Sequence, residues 1–136
     1  MKILEVLTER RKTGNVGECA AARLLRKTGH RILAKNYVSV GHEIDIIATD
    51  KVHTIFVEVK TRTVDENGEC NPRPAAAVTP EKQRAIIATA KAYLAYNRSE
   101  RRVRFDIVEV YLDRRKRVQK ILHILSAFNY NTSRGM

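Results

Sequence analysis

The sequence predicts an α/β protein in which a central mixed β-sheet is flanked by helices, in the element order αβββαβ with one further strand at the end. Two observations predict this class. Apolar residues recur with helical spacing in two well-separated segments, and short segments with the alternation of strands lie before and after the second of them. The length of 136 residues fits one domain with one core, spanning residues 1–136.

The first half of the chain is predicted to form a helix followed by a three-stranded meander. The helix is expected over residues 14–29, because Val16, Leu24 and Leu25 fall on one side and Gly29 is a common helix stop. Strands are expected at residues 31–39, 42–49 and 54–61.

The second half is predicted to contain a loop, a capped helix and two strands. Residues 64–78 carry turn-forming residues without periodicity, which indicates a long loop. Thr79 is a suitable N-cap and Pro80 suits the first helical position, so a helix is expected from there to about residue 97. The last strands are expected at residues 102–112 and 117–125.

The charge balance indicates a polyanionic partner. Lys and Arg outnumber Asp and Glu by 26 to 15, which gives a formal net charge of +11. Nucleic acid is the first candidate and an anionic membrane surface the second, while a basic surface that serves only solubility is the alternative. No segment approaches the roughly 20 apolar residues of a membrane span, so insertion into a membrane is not expected, and of the two candidates the predicted partner is nucleic acid, without a membrane. Cys19 and Cys70 are isolated, which favours reduced thiols and a cytoplasmic location.

Two carboxylates are predicted to meet in the sheet. If the second and third strands form a hairpin with Asp45 opposite Glu58, like charges face each other roughly 5 Å apart, which is destabilising unless a cation lies between them. Mg²⁺, or Mn²⁺ in its place, suits such oxygen ligands, and Lys60 projects from the same face. The alternative is an ordinary cross-strand ion pair of Glu43 with Lys60 and a solvated Asp45.

The same register predicts how the two strands divide between the faces of the sheet. It places Ile44, Ile46 and Ala48 against Val59, Val57 and Ile55 on one apolar face. On the other face, Glu43, Asp45 and Ile47 meet Lys60, Glu58 and Phe56.

Glu18 is a third unusual carboxylate, because it shares a helical stripe with Ala21, Ala22 and Leu25, which the first helix is expected to bury. One interpretation directs this carboxylate over the strands toward the metal. The other makes Glu18 the acidic member of a capping box that starts at Asn15.

Short blocks of the sequence match the signature of a known family, in order, over residues 14–128. They are GNVGE at 14–18, EIDIIA at 43–48, FVEVKTR at 56–62, AVTPEKQ at 77–83 and RFD at 104–106, with HILSAF closing at 123–128. In these blocks the chain resembles the YraN-like family of bacterial proteins, which is predicted to be nuclease-like. That family is similar in turn to archaeal Holliday-junction resolvases and to the restriction-endonuclease-like fold with its PD-(D/E)xK motif.

The resemblance implies a metal-dependent endonuclease that hydrolyses phosphodiester bonds of DNA, including branched or Holliday-junction DNA. Asp45 and Glu58 would be the metal ligands, Lys60 would stand near the attacking water, and Glu18 would be the helix carboxylate of resolvases. The Val59 carbonyl is expected to complete the ligand set. Resolvases of this kind work as dimers, so a homodimer is expected by analogy.

Two residues depart from the family pattern. Ile44 replaces the Pro in the name of the motif, which leaves the chemistry unaffected, and His42 stands where the family usually has Gly. The second departure concerns the local approach of DNA.

Residues expected to contact nucleic acid lie at the start of the second helix and after the third strand. Thr79, Lys82 and Arg84 surround a helix N-terminus, which favours a phosphate, and Arg62 follows the carboxylate site. The alternative is plain capping by Thr79 with solvated basic side chains. Basic residues at 101, 102, 104 and 114–117 are further candidates for phosphates away from the cut. The alternative function is a non-catalytic nucleic-acid-binding or interaction module that retains the fold.

Overall fold

A computed structural model describes the main chain of residues 2–130 and the side chains of residues 14–130. Its helices are α1 (Lys2–Lys27) and α2 (Pro80–Tyr96), with a short 3-10 helix at Pro74–Ala77. Its strands are β1 (Arg31–Ser39), β2 (His42–Thr49), β3 (His53–Thr63), β4 (Arg102–Leu112) and β5 (Val118–Phe128). The element order is therefore αβββαββ, as predicted.

The five strands form one mixed sheet in the order β1-β2-β3-β4-β5. The pairs β1–β2, β2–β3 and β4–β5 are antiparallel, and β3 and β4 are parallel. A parallel pair needs a crossover connection, which the segment containing α2 supplies between β3 and β4. The predicted meander and the predicted α/β class are both confirmed.

Each face of the sheet buries its own apolar layer. Under α1 the layer consists of Ala21, Ala22, Leu25, Ile46, Ala48, Ile55, Val57, Val59, Val108, Val110 and Leu112. On the face of α2 it consists of Ile44, Ile47, Phe56, Val78, Ile86, Ile87, Ala90, Tyr93, Phe105, Ile107 and Phe128. With both faces covered, the central strands are apolar on both sides, so any buried charge in them needs a specific partner.

The predicted start of α1 at Gly14 is wrong. The helix begins at Lys2 and runs through Gly14, because one glycine inside a helix costs only about 1 kcal/mol relative to alanine and does not end it. Asn15 therefore lies within the helix and is not an N-cap. The capping-box interpretation of Glu18 is wrong for the same reason.

Helix α1 lies so close to β3 that only glycine fits at the crossing. Gly17 is buried, and a Cβ atom at this position would collide with the side chain of Thr61, Oγ1 above all. The close approach sets the distance between the helix and the strand that carries Glu58 and Lys60. It therefore also sets how far Glu18, the next residue of α1, stands from the sheet.

The long loop before α2 is tied to the sheet by a buried carboxylate. Glu109 of β4 is fully buried and accepts from Arg73 Nε at 3.0 Å, from Arg73 Nη2 at 2.6 Å and from the Ala75 N–H at 2.8 Å. Tyr111 Oη donates to the same carboxylate at 3.1 Å. These donors lower the pKa of Glu109 against the opposing effect of burial.

A second buried carboxylate, Asp106, fastens β5 to β4. It accepts from Arg104 Nε at 2.9 Å and from the Ser126 N–H at 2.9 Å, and it pairs with His123 Nε2 at 2.8 Å. Ser126 has a left-handed φ of 51° at an irregularity in the β4–β5 ladder. The RFD block thus has a structural role, and Arg104 is committed to an internal ion pair instead of an open phosphate contact.

No helix in the described part of the chain is long and apolar enough to cross a membrane.

Gly17→Ala should destabilise the protein by about 1–3 kcal/mol, because the added methyl group overfills the crossing of α1 and β3. Urea denaturation measures the change. Gly14→Ala is the matched control in the same helix: a Cβ there meets nothing within 4 Å, so it should stabilise by up to about 1 kcal/mol. Equal effects of the two substitutions would contradict the close approach.

Candidate active site

The candidate site lies where β2 and β3 part. Their regular pairing ends at Ile46 opposite Val57, and in the same register the next two residues are Asp45 and Glu58. Just beyond, the Val59 N–H donates to Asp45 Oδ2 at 2.7 Å. The register predicted from the sequence is confirmed, and the two carboxylates lie beside each other.

One position in the predicted division between faces is wrong. Ile46 and Ala48 lie under α1 with Ile55, Val57 and Val59, as expected, but Ile44 packs on the opposite face with α2. The alternation of side chains between the two faces is interrupted at Asp45 of β2. This residue lies just outside the ladder that pairs β2 with β3, so the strand is free to twist there.

Glu58 is a buried carboxylate without adequate partners. Its side chain is 6% exposed, and its Oε2 is buried and makes no hydrogen bond. Burial, the negative charge of Asp45 and a hydrogen bond to that carboxyl raise the pKa of Glu58 to about 8. The fully buried Asp106 and Glu109 differ, because their donors lower the pKa of each. Glu58 therefore lacks the hydrogen-bond donors that stabilise the charged carboxylates of Asp106 and Glu109.

Lysine side chains stand on the same face as Glu58. Lys60 Nζ lies 3.7 Å from Glu58 Oε1, and the Lys60 side chain is mostly buried. Burial lowers the pKa of Lys60; Glu58 opposes this effect, and the charge of Lys82 at the start of α2 adds to the lowering. Lys82 also acts on the carboxyl of Glu58 and lowers its pKa. The start of α2 therefore lies within electrostatic reach of the carboxylates.

Glu18 approaches from α1 and interacts with Asp45. Burial, then Asp45, then Glu43 raise the pKa of Glu18, while Lys35 of β1 lowers it. The structure thus brings Glu18 to the Asp45 side of the site, and Lys60 and Lys82 to the Glu58 side.

Glu43 does not form the cross-strand ion pair with Lys60 that the alternative interpretation required. The amide of Asn36 is assigned with its nitrogen toward the carboxylates, because the opposite orientation would bring acceptor oxygens together. In this orientation Glu43 Oε1 accepts from the Asn36 amide at 2.7 Å, on the β1 side of the sheet. The same amide donates to Glu18 Oε2 at 3.3 Å. Sequence reasoning did not identify Asn36, because an asparagine inside a predicted strand carries no distinctive spacing or pattern.

The residues predicted to contact nucleic acid are only partly brought together. Thr79 caps α2, accepting from the Lys82 N–H at 3.3 Å, and Lys82 stands near Lys60. Arg84 and Arg62 are exposed, and Arg62 Nη1 donates to the Thr61 carbonyl at 2.8 Å. Capping by Thr79 is therefore present, and Lys82 interacts electrostatically with Glu58 and Lys60.

The donors suit a hard cation such as Mg²⁺. Among the side chains of residues 14–130, no three His, Cys, Asp or Glu residues come together as a complete metal cage. Mg²⁺ does not need a complete cage of protein ligands, since it binds through one or two carboxylates and retains several water molecules. Asp45 and Glu58 supply two, and the unpartnered Glu58 Oε2 is an oxygen that a cation would satisfy. The residues present therefore fit the ion.

An αβββαββ chain whose mixed sheet carries an Asp and a Glu-x-Lys at two diverging strands has a restriction-endonuclease-like architecture. The sequence profile of Uncharacterised protein family UPF0102 matches residues 17–110. The chain belongs to this family, which confirms the resemblance to YraN-like proteins.

Individual relatives cover nearly the whole chain. A UPF0102 protein of Caldanaerobacter subterraneus subsp. tengcongensis is 44% identical over 121 residues, which cover 88% of this chain and 96% of the relative. Relatives from Chlorobium phaeobacteroides and Moorella thermoacetica are 43% and 39% identical over 120 residues each. The match to the Chlorobium protein covers 85% of this chain and 92% of that relative. The match to the Moorella protein covers 88% of this chain and 97% of that relative.

Glu58→Gln should stabilise the metal-free protein at pH 8. A carboxyl whose pKa is raised from 4.5 to about 8 keeps a proton in the folded state that the unfolded chain releases, so its ionisation lowers stability as pH rises between those values. Glutamine has the same shape and does not ionise. The melting temperature in EDTA should therefore be higher for the variant at pH 8, and the gap should narrow toward pH 5.

Glu109→Gln is the matched control for this measurement. The pKa of Glu109 is lowered by its donors, so neutralising it weakens the contacts with Arg73 and should lower the melting temperature at pH 8. The melting temperature of the metal-free parent should fall relative to that of Glu58→Gln between pH 5 and pH 8. If the difference between the two proteins stays constant over this range, the pKa of Glu58 is not raised.

Proposed function

We propose that this protein is a metal-dependent endonuclease that hydrolyses phosphodiester bonds of DNA, with branched DNA as its first candidate substrate. The observation that carries the proposal is the Glu58 carboxylate, buried beside Asp45 with Oε2 unpartnered and with Lys60 Nζ 3.7 Å from Oε1. A structural carboxylate would have received donors, as Glu109 did. The arrangement is suited to holding a cation in front of a phosphate.

Asp45 and Glu58, with the carbonyl of Val59, would hold the ion. The hydrogen bond from the Val59 N–H occupies Asp45 Oδ2 and orients the carboxyl group, which leaves the other oxygen for the ion. Bound Mg²⁺ supplies charge relief on the scissile phosphate and lowers the pKa of bound water. Glu18 approaches the Asp45 side and would act there through a water molecule or a second cation.

Lys60 is placed to orient the attacking water and to stabilise charge on the phosphate. Its side chain is mostly buried and its ammonium lies 3.7 Å from Glu58 Oε1, so the side chain is directed into the site instead of into solvent. Burial and the charge of Lys82 lower its pKa, and a nearby phosphate would favour the charged form. Lys60 thus carries a fixed donor at the position where negative charge develops.

The start of α2 supports binding of the DNA backbone. This end of the helix is the positive end of its dipole, and Lys82 extends from its first turn. The net charge of +11 favours a polyanion over the whole surface. Cutting both strands of a branched duplex takes two such sites, so the proposal includes a homodimer.

Asp45→Asn should reduce cleavage by at least about a hundredfold, because the ion loses a charged ligand worth several kcal/mol in the transition state. Linear, flapped and four-way DNAs in Mg²⁺ or Mn²⁺ are the substrates. Asparagine can still accept from the Val59 N–H, so the variant should fold, and it should bind DNA as tightly as the parent or more so. Asp45→Ala is less suitable, since an unpaired N–H costs about 1–3 kcal/mol.

Glu66→Gln is the control, because this exposed carboxylate lies outside the site and contacts Arg114 at its surface. Its cleavage should equal that of the parent. If the parent protein binds these DNAs but cleaves none of them with either metal, the proposal is overturned in favour of a binding module. Undiminished cleavage by Asp45→Asn would place the activity elsewhere.

Lys82→Gln should weaken DNA binding and reduce the slope of log K against log salt by about 0.9, the value for one lost phosphate contact. Fluorescence anisotropy between 50 and about 300 mM salt measures both changes. Lys91→Gln is the control of equal charge on the same helix; Lys91 lies over the ring of Tyr130, 5.4 Å from its centroid. Equal slopes for the two variants would show that the start of α2 does not hold a phosphate.

A further inference from the structure

Asn36 joins two carboxylates that approach the site from different elements. With its amide oriented so that the nitrogen faces the carboxylates, Asn36 donates to Glu43 Oε1 of β2 at 2.7 Å and to Glu18 Oε2 of α1 at 3.3 Å. An amide NH₂ group has two hydrogens, so one nitrogen serves both acceptors. A single side chain of β1 therefore links α1 to β2 next to Asp45.

The backbone of Asn36 is unusual for a strand residue. Its φ is 53°, in the left-handed region that few residues other than glycine and asparagine adopt readily. The neighbouring pairs, Lys35 with Ile46 and Tyr37 with Ile44, place Asn36 across from Asp45 in the β1–β2 ladder. The ladder keeps its register through this point, so the left-handed residue turns a side chain without shifting the strand.

The electrostatics on this side of the site explain why such a link is needed. Asp45 and Glu43 both repel the charged form of Glu18, and the repulsion alone would drive the flexible Glu18 side chain toward solvent. Lys35 offsets part of this repulsion. The amide of Asn36 adds two directed donors, which fix orientation in a way that a mobile ammonium does not.

We propose that Asn36 is a positioning residue that holds Glu18, through a link shared with Glu43, beside Asp45. This inference rests on the proposed function, in which Glu18 serves the cation held by Asp45 and Glu58. Partners that orient such groups usually change metal affinity or activity about 10–100-fold when removed.

Asn36→Gly is the test variant, because glycine accepts the left-handed backbone at no steric cost and lacks the amide. Mn²⁺ affinity measured by calorimetry without DNA, and cleavage of four-way DNA, should each fall about 10–100-fold. In a Glu18→Gln background the same substitution should have little further effect, since Asn36 acts through Glu18. Effects that add in the double variant would overturn the proposal.

Val40→Gly is the matched control. Val40 also has a left-handed φ, 47°, and is 62% exposed at the turn that joins β1 to β2. Its replacement should leave Mn²⁺ affinity and cleavage unchanged. A loss equal to that of Asn36→Gly would show that the hairpin backbone, and not the amide, is responsible.

A readout without metal or substrate separates this inference from the proposed function. Three-bond NMR couplings should show one χ1 rotamer for Glu18 in the parent and rotamer averaging in Asn36→Gly. Asn36→Asp, which keeps the size of the side chain but replaces the donor with an acceptor, should show the same averaging. An ordered Glu18 in both variants would overturn the inference, whether or not the parent cleaves DNA; averaging with an inactive parent would reject only the nuclease activity.

Discussion

The hydrogen bond from the Val59 N–H to Asp45 Oδ2 organises the end of the β2–β3 hairpin. It engages a carboxylate of β2 with the main chain of β3 at the point where regular pairing has ended. Because Glu58 and Lys60 flank Val59, both side chains leave β3 on the face opposite to Val59. One main-chain contact thus fixes the relative positions of two carboxylates and a lysine, and the crossing of α1 at Gly17 then brings Glu18 to the Asp45 side of the site.

Much of the fold was predictable because it depends on short local signals or on the pattern of apolar residues along the strands. Thr79 and Pro80 encode the start of α2 within two residues, and the structure shows the expected cap. The β2–β3 register was predictable because a slip of one residue would place opposing side chains, such as Ile46 and Val57, on opposite faces of the sheet. The proximity of Asp45 and Glu58 followed directly from that register.

The remaining features depend on contacts that the sequence does not display. Gly14 looked like a helix boundary, but a glycine only weakens a helix, and α1 continues through it. Ile44 was assigned to the wrong face because strict alternation was assumed beyond the end of the ladder. Asn36 and Glu43 were missed as partners because their contact depends on a left-handed residue within a strand, which only a structure reveals.

The double contact between Arg73 and Glu109 divides the connection from β3 to α2 into two parts. The part after Arg73 is anchored to β4 and continues into the short 3-10 helix and α2. The part before Arg73 contains a turn around Asp65. The carboxylate of Asp65 accepts from the N–H groups of Asn67 and Glu69. For protein engineering this exposed turn is an attachment point: a fluorophore or affinity tag inserted beside Gly68 lies outside the segment that Glu109 anchors, so single molecules can be tethered or tracked without disturbing the contacts that lead into α2.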